Sequence, residues 1–341
     1  MYYETNTERG NFTMGKIKVG MFGINGHQIH ELLVDNDRAC CGAVAEIDKS
    51  LLPEDIQNDH SIKYYNTFEE MIADDTLDII SICSPVRKDQ EWQTIAALKA
   101  GKHVYSEKPS AFSDEKLDEI IATAKENNVK FHEMGGTCFE DPFMSMKDIV
   151  DSGILGKIVQ VYAQKSYPYH ERRPQDDITD GGLIRWVGVH ATRFIEHTTG
   201  IKINKIYSVE TSYANPVEGG GMATAASVMM TLDNGAVGCM NINYLNHKLP
   251  LGTWGNEQLR IWGTEGWIEG INGMQETHIY LRDGRSEEIE MNYPDMTDAG
   301  YFEFVLDEII DGKPMPISLE DELHPLRAVI RAKNNVIEKV K

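Results

Sequence analysis

In the first third of the chain, short apolar runs alternate with helix-like stretches. This alternation limits the possible fold more than any other feature. Lys16–Phe22 (KIKVGMF) reads as a buried strand entering a glycine turn, and Gly26–Val34 as the start of a helix. Ala39–Ala45 is a second apolar run, closed by the acidic Glu46. Tyr64–Ile72 suits a strand, a turn and a helix, and Leu77–Cys83 (LDIISIC) is a buried strand ahead of Ser84-Pro85. Gln90–Ala100 reads as a helix stopped by Gly101, His103–Ser106 as a strand, Asp114–Asn127 as a helix and Val129–Met134 as a strand. Such alternation implies βαβ units around a parallel sheet, because parallel neighbours need a crossover long enough to hold a helix.

The pattern changes near residue 135. Phe143–Ser152 is still helix-like, with Gly153 as its stop. Long alternating strands then dominate: Ile158–Ser166, Lys205–Tyr213, Thr224–Leu232, Ala236–Tyr244, Gln258–Trp262 and Trp267–Ile271. Asp233-Asn234-Gly235 is a hairpin turn, and consecutive hairpins favour an antiparallel sheet. A helix over Gly188–Thr199 interrupts the strands, and a last helix over Leu319–Val340 is expected to close the chain. With 341 residues the chain has room for two domains, since one domain takes about 100–200 residues.

Charge narrows the partners. A net charge of −21 repels phosphate backbones and anionic lipid, so neither nucleic acid nor a membrane surface is expected. No run approaches the roughly 20 apolar residues of a membrane span, and the N-terminus has no apolar signal region. Cys40, Cys41, Cys83, Cys138 and Cys239 are odd in number and lack zinc-knuckle spacing. They read as reduced thiols of a cytoplasmic protein. His27 and His30 share a helical face in this reading, but no nearby cysteine or carboxylate completes a set, so no metal is expected.

The turn between the first strand and helix carries a partial dinucleotide fingerprint. Gly23 fills the first glycine position, Asn25 the second and Gln28 the third, with Gly26 and His27 between. Such a turn brings backbone amides and a helix N-terminus close to a pyrophosphate. Glu46 lies 23 residues after Gly23 at the end of the second strand. A carboxylate there can accept the adenosine ribose hydroxyls and repels a 2′-phosphate, which favours NAD over NADP. Asp48 is the fallback ligand.

Three further stretches resemble one family. Ala100-Gly101-Lys102-His103-Val104-Tyr105-Ser106-Glu107-Lys108-Pro109 is similar to the "A-G-K-H-V-x-x-E-K-P" signature of the Gfo/Idh/MocA oxidoreductases. Ser84-Pro85 resembles that family's strand-end motif, and Gly263-Thr264-Glu265-Gly266-Trp267-Ile268-Glu269 its late "G-T-E-G-x-x-E". The resemblance covers roughly residues 16–341. It implies an α/β protein: an N-terminal Rossmann domain with a doubly wound parallel sheet, then a C-terminal α/β domain with a large open, mostly antiparallel sheet. The expected division is a disordered extension over 1–13, the nucleotide domain over 14–134 and a substrate and oligomerisation domain over 135–341, with the last helix packing back on the first domain. Homodimers or homotetramers are expected through the open sheet.

The resemblance also implies hydride transfer between a nicotinamide and a sugar or polyol carbon. By position, Lys108 is the active-site lysine, Glu107 a carboxylate facing the cofactor, and Pro109 the shaper of the turn. The family's second signature, D-x-G-x-H, falls on Trp186–His190. Gly188 and His190 match it, Trp186 stands where the aspartate belongs, and Arg193 stands where a further aspartate is common.

Oxidising an alcohol requires a base near neutral pKa as hydride leaves the same carbon. Lys108 and His190 are therefore the catalytic pair, without an aspartate from this motif. Asp176, Asp177 or Asp180 can supply a carboxylate from the preceding loop. Trp186 can stack on a sugar ring, and the loop Tyr167–Pro174, with His170, suits a substrate lid. Asp180, Arg185, Trp186 and His170 are the expected substrate contacts. Two other activities share this scaffold: transient use of NAD for elimination or epimerisation, and non-catalytic sensing of NAD or a sugar.

Overall fold

The structure is a computed structural model that describes residues 15–136, 139–170, 172–246, 256–272, 276–293 and 298–340. The expected extension over 1–13, together with Cys138 and Glu171, lies outside the described residues.

The first half follows the order β1 (Ile17–Phe22), β2 (Ala39–Ala45), α1 (Glu54–Asn58), β3 (Lys63–Tyr65), α2 (Phe68–Ile72), β4 (Ile79–Ile82), α3 (Gln90–Lys99), β5 (His103–Ser106), α4 (Asp114–Glu126) and β6 (Phe131–Glu133). Its six strands pair in parallel in the order β3-β2-β1-β4-β5-β6. Every residue of β4 is buried, as expected of a central strand covered on both faces. Helix α4 starts where the Ser113 side chain accepts from the Lys116 amide, and it buries Leu117, Ile120 and Ala124. The strand order reverses between β1 and β4. The crevice at their carboxyl ends is where ligands of open α/β sheets bind.

One expected helix of this half is absent. Gly26–Val34 forms only a single 3-10 turn, Glu31–Leu33. The Gln28 side chain accepts from the Ile29 amide and donates to the Gly23 carbonyl, and Asn36 Oδ1 captures the amides of Arg38 and Ala39. Side-chain bonds at both ends thus compete with the few turns available, and short helices nucleate poorly.

The second half continues with α5 (Phe143–Asp151), β7 (Ile158–Ser166), α6 (Asp177–Asp180), α7 (Leu183–Trp186), α8 (Gly188–Thr199), β8 (Ile203–Thr211), β9 (Ala225–Leu232), β10 (Val237–Asn243), β11 (Asn256–Gly263), β12 (Gly266–Asn272), β13 (Glu276–Leu281), β14 (Ser286–Glu288), α9 (Asp298–Asp311), α10 (Leu319–Asn334) and β15 (Val336–Val340). The nine strands form one sheet in the order β14-β13-β12-β11-β7-β10-β9-β8-β15. It is mostly antiparallel, with parallel pairs β7–β10 and β8–β15. One face packs Val161, Ala163, Ile206, Val228, Met230, Met240, Ile242 and Leu259 into the core, while the other exposes Tyr207, Met229 and Val237.

The last helix is shorter than the sequence suggests. It stops at Asn334, where the Asn335 side chain donates to the Ile206 carbonyl. Val336–Val340 then forms an edge strand beside β8, in keeping with its β-branched residues. Helix α9 and strands β13 and β14 were not foreseen. Helix α9 lies on the first half: Tyr301 and Phe302 pack near Tyr105, and Arg38 pairs with Glu303, Asp307 and Asp311. Helix α10 also reaches that half, through Arg327 and Arg331 to Asp114.

Candidate active site

Strand β1 ends in the glycine turn. Gly23 has φ +67°, and a Cβ there would lie 2.2 Å from the Cys83 carbonyl oxygen. Gly26 has φ +122°, and its Cβ would lie 2.7 Å from the Glu107 carboxyl carbon. Both positions therefore require glycine. The amides of this turn are bonded internally: Gly23 to Ala45, Asn25 to Cys83, Gly26 to Ile24, and His27 to Glu107 Oε2. Gln28 is buried, with its carboxamide held by Gly23 and Ser81, so its side chain braces the turn. Without a helix behind it, the turn lacks the expected helix N-terminus. Gly26, His27, Pro85 and Glu46 are exposed at the strand ends. Asp48 caps a short turn through the Ser50 amide and hydroxyl.

Residues 107–109 cross the carboxyl end of β5, and the Lys108-Pro109 peptide is cis. Glu107 and Lys108 are buried to 0% and 1% exposure. Glu107 Oε2 accepts from both the amide and Nδ1 of His27. Burial works to raise the Glu107 carboxyl pKa, but His27, Lys108 and Arg87 outweigh it and hold the group well below the usual carboxylate range. Lys108 Nζ lies 3.5 Å from Glu107 Oε1 and 3.9 Å from the Trp186 ring centroid. It has no hydrogen-bond acceptor in good geometry among the described residues. Burial lowers its pKa to about 8, against the pull of Glu107 and with help from Arg87 and Arg193.

The second motif is split into two helical pieces. Helix α7 ends at Trp186, and α8 begins at Gly188. Even so, Trp186 and His190 both face Tyr167, with ring centroids 5.5 Å and 6.0 Å away. His190 Nε2 is 3.3 Å from the Tyr167 hydroxyl. Burial, followed by Lys108 and Lys165, holds His190 well below its ordinary pKa, so the ring is neutral. Arg193 points elsewhere: Nη2 donates to Glu133 Oε2 and Nη1 to the Met134 carbonyl. Glu133 Oε1 also accepts from the Ser110 amide and hydroxyl.

The other expected contacts separate. Asp180 is buried and paired with Arg173, which also donates to the Tyr244 hydroxyl and lies 4.7 Å from the Trp186 ring. Asp180 thus holds Arg173 beside Trp186 and is not paired with Lys108. Asp176 caps α6, and Asp177 binds Lys333. Arg185 donates to the Gly181 carbonyl and covers the Phe112 ring, outside the Lys108 cluster. His170 is exposed. The sequence reading missed Lys165, Tyr167 as a partner of His190, Arg173, Glu133 and Glu257. A signal did exist: on β7 the inward positions run Val161, Ala163 and Lys165, with Tyr167 one residue past the strand's end. A lysine on a core-facing register demands an explanation.

The residues fit a dinucleotide in part. A carboxylate stands exposed at the end of β2, and Ser84 Oγ, Lys108 Nζ and Trp186 Nε1 are buried without hydrogen-bond partners among the described residues. The glycine turn itself offers fewer free amides than its sequence promised. No helix among the described residues is long and apolar enough to cross a membrane.

Comparison with known proteins agrees with this fold. Residues 17–134 match the family described as "Oxidoreductase family, NAD-binding Rossmann fold", and residues 143–269 the "GFO/IDH/MocA C-terminal domain". The chain is 25% identical over 225 residues to the uncharacterized oxidoreductase YrbE of Bacillus subtilis, covering 64% of this chain and 62% of that one. It is 23% identical to a myo-inositol 2-dehydrogenase of Thermotoga maritima, covering 80% of each. A solved Thermotoga maritima structure, 27% identical, superposes with a TM-score of 0.82 over 94% of this chain and 98% of its own.

Proposed function

Because the chain belongs to the GFO/IDH/MocA family of oxidoreductases with an NAD-binding Rossmann domain, we propose that it oxidises a secondary alcohol of a sugar, inositol or glycoside, with Lys108 exchanging the hydroxyl proton. The observation that carries this reading is the buried Lys108 ammonium, lowered to about 8 and lacking a good acceptor. Its neutral form can take the proton as the carbon–hydrogen bond breaks. A bound nicotinamide supplies the hydride acceptor.

The chain's own residues do the rest. Glu46 receives the adenosine ribose, and its charge selects NAD over NADP. Gly23, Asn25, Gly26, His27 and Ser84-Pro85 border the nucleotide, and Glu107 anchors Lys108 beside it. Gln28 acts one step back, by holding the turn. Trp186 offers an apolar face and one N–H to the sugar ring, and Arg173 orders that wall. His190, neutral and close to Tyr167, completes the donors around the reacting oxygen. The exposed apolar row on the open sheet, Tyr207, Met229 and Val237, supports association into a dimer or tetramer.

The test is absorbance at the NADH band, with NAD or NADP, across a panel of inositols, sugars and glycosides. A rise with one substrate class and NAD supports the reading. NAD binding with no rise anywhere overturns net oxidation and directs attention to transient use of the cofactor.

A further inference from the structure

We propose that Lys165 and Tyr167 are positioning residues for His190, standing in for the carboxylate that Trp186 displaces from the helix motif. The inference rests on the reading of His190 as a group at the reacting oxygen. Lys165 lies on the core-facing register of β7, and Tyr167 follows one residue past the strand's end with its ring near Trp186 and His190. Both are buried. Lys165 Nζ lies 4.6 Å from the Tyr167 ring centroid, and the Tyr167 hydroxyl lies 3.3 Å from His190 Nε2.

Lys165 is held from the far side. It pairs with Glu257, its register partner on β11, and Glu257 is itself buried. Burial, and then the nearby Lys108 charge, lowers the Lys165 ammonium, while Glu140 opposes that. Contact with Glu257 also favours the charged form. A cation over a phenol ring draws on its electron density, which makes the hydroxyl a stronger donor. Tyr167 then donates to His190 Nε2, and the neutral ring keeps its proton on Nδ1. A fixed tautomer is what an orienting carboxylate otherwise provides. Here it comes from the neighbouring strand.

The test uses the full chain labelled with 15N-histidine, the His190 signals being assigned by their loss in His190→Gln. Tyr167→Phe removes only the hydroxyl. In that variant the Nδ1–H tautomer gives way to a mixture, kcat falls roughly 10- to 100-fold, and KM and NAD affinity stay within a few-fold. Lys165→Met combined with Glu257→Gln leaves no lone buried charge and shifts both readouts in the same direction, whereas Lys165→Arg restores them. A folded Tyr167→Phe protein with unchanged tautomer and unchanged kcat overturns the proposal. If the unaltered protein forms no NADH from any polyol, the oxidoreductase reading fails, and the tautomer still decides whether Tyr167 positions His190.

Discussion

Two buried glutamates near the carboxyl edge of the first sheet meet opposite fates. Glu133, on β6, is fully committed: Oε1 takes the amide and hydroxyl of Ser110, and Oε2 takes Arg193. Glu107, just beyond β5, spends Oε2 on His27 and, among the described residues, leaves Oε1 with only the long approach of Lys108. Both carboxylates face a buried cation. One pair is closed by short bonds, and the other stays open at 3.5 Å beside an indole. Folding tolerates an unmatched buried charge poorly, so the contrast fits the proposed role of Lys108 in chemistry and a bracing role for Arg193.

The largest effect separates these roles at Lys108. Lys108→Met lowers kcat/KM by about 1,000-fold, with NAD affinity by calorimetry within a few-fold and the thermal midpoint unchanged or higher. A large loss of stability instead would make Lys108 a brace like Arg193. Glu133→Gln should do the reverse. It strands Arg193 and lowers unfolding free energy by about 3–5 kcal/mol in urea, while the folded fraction keeps its turnover.

The pH dependence sharpens the contrast. With the neutral amine of Lys108 as the proposed base, kcat/KM for oxidation is expected to climb about tenfold per pH unit at low pH. It levels off above about 8, where burial has placed this lysine. A profile flat from pH 6 to 9 would remove Lys108 from the proton transfer.

His132 titrates to a structural end. Burial works to lower it, but Glu322 and Glu308 prevail and raise it to about 9. A folded pKa above the unfolded value stabilises the protein fully below about 6.5 and loses that contribution as pH rises through about 9. The His132 contribution to unfolding free energy should therefore decline by roughly 1–3 kcal/mol between these limits. It is read as the difference between the protein and His132→Gln across this range, because the lowered Lys108 and Lys165 titrate there with the opposite sign and remain in both. The smallest effect belongs to the exposed rim. Glu46→Gln should weaken NAD binding about 5- to 10-fold, the size of one ordinary net hydrogen bond, and narrow the preference over NADP.

Much of this was legible in the chain. The strand runs, the Glu107-Lys108-Pro109 crossing and the Gly188/His190 helix follow from local patterns that the structure retains. The helix after Gly26 was not legible, because Gln28 and Asn36 turn their side chains onto the backbone and undo a periodicity that looks helical. Arg193 read as an oddity in a motif, since its partner Glu133 lies 60 residues away and only the tertiary fold joins them. Lys165 was passed over because a strand pattern records which positions face inward but not what they meet there.

Helix α9 bears on how the protein is made. The face of the first sheet that carries Tyr105 is covered by Tyr301 and Phe302, and Arg38 reaches partners as far as 273 residues ahead. During synthesis the nucleotide half emerges long before its cover does. Contacts of such sequence separation form slowly, and exposed apolar surface on a nascent chain invites aggregation. The first half is thus committed early to a shape that it can complete only when the last part of the chain has left the ribosome.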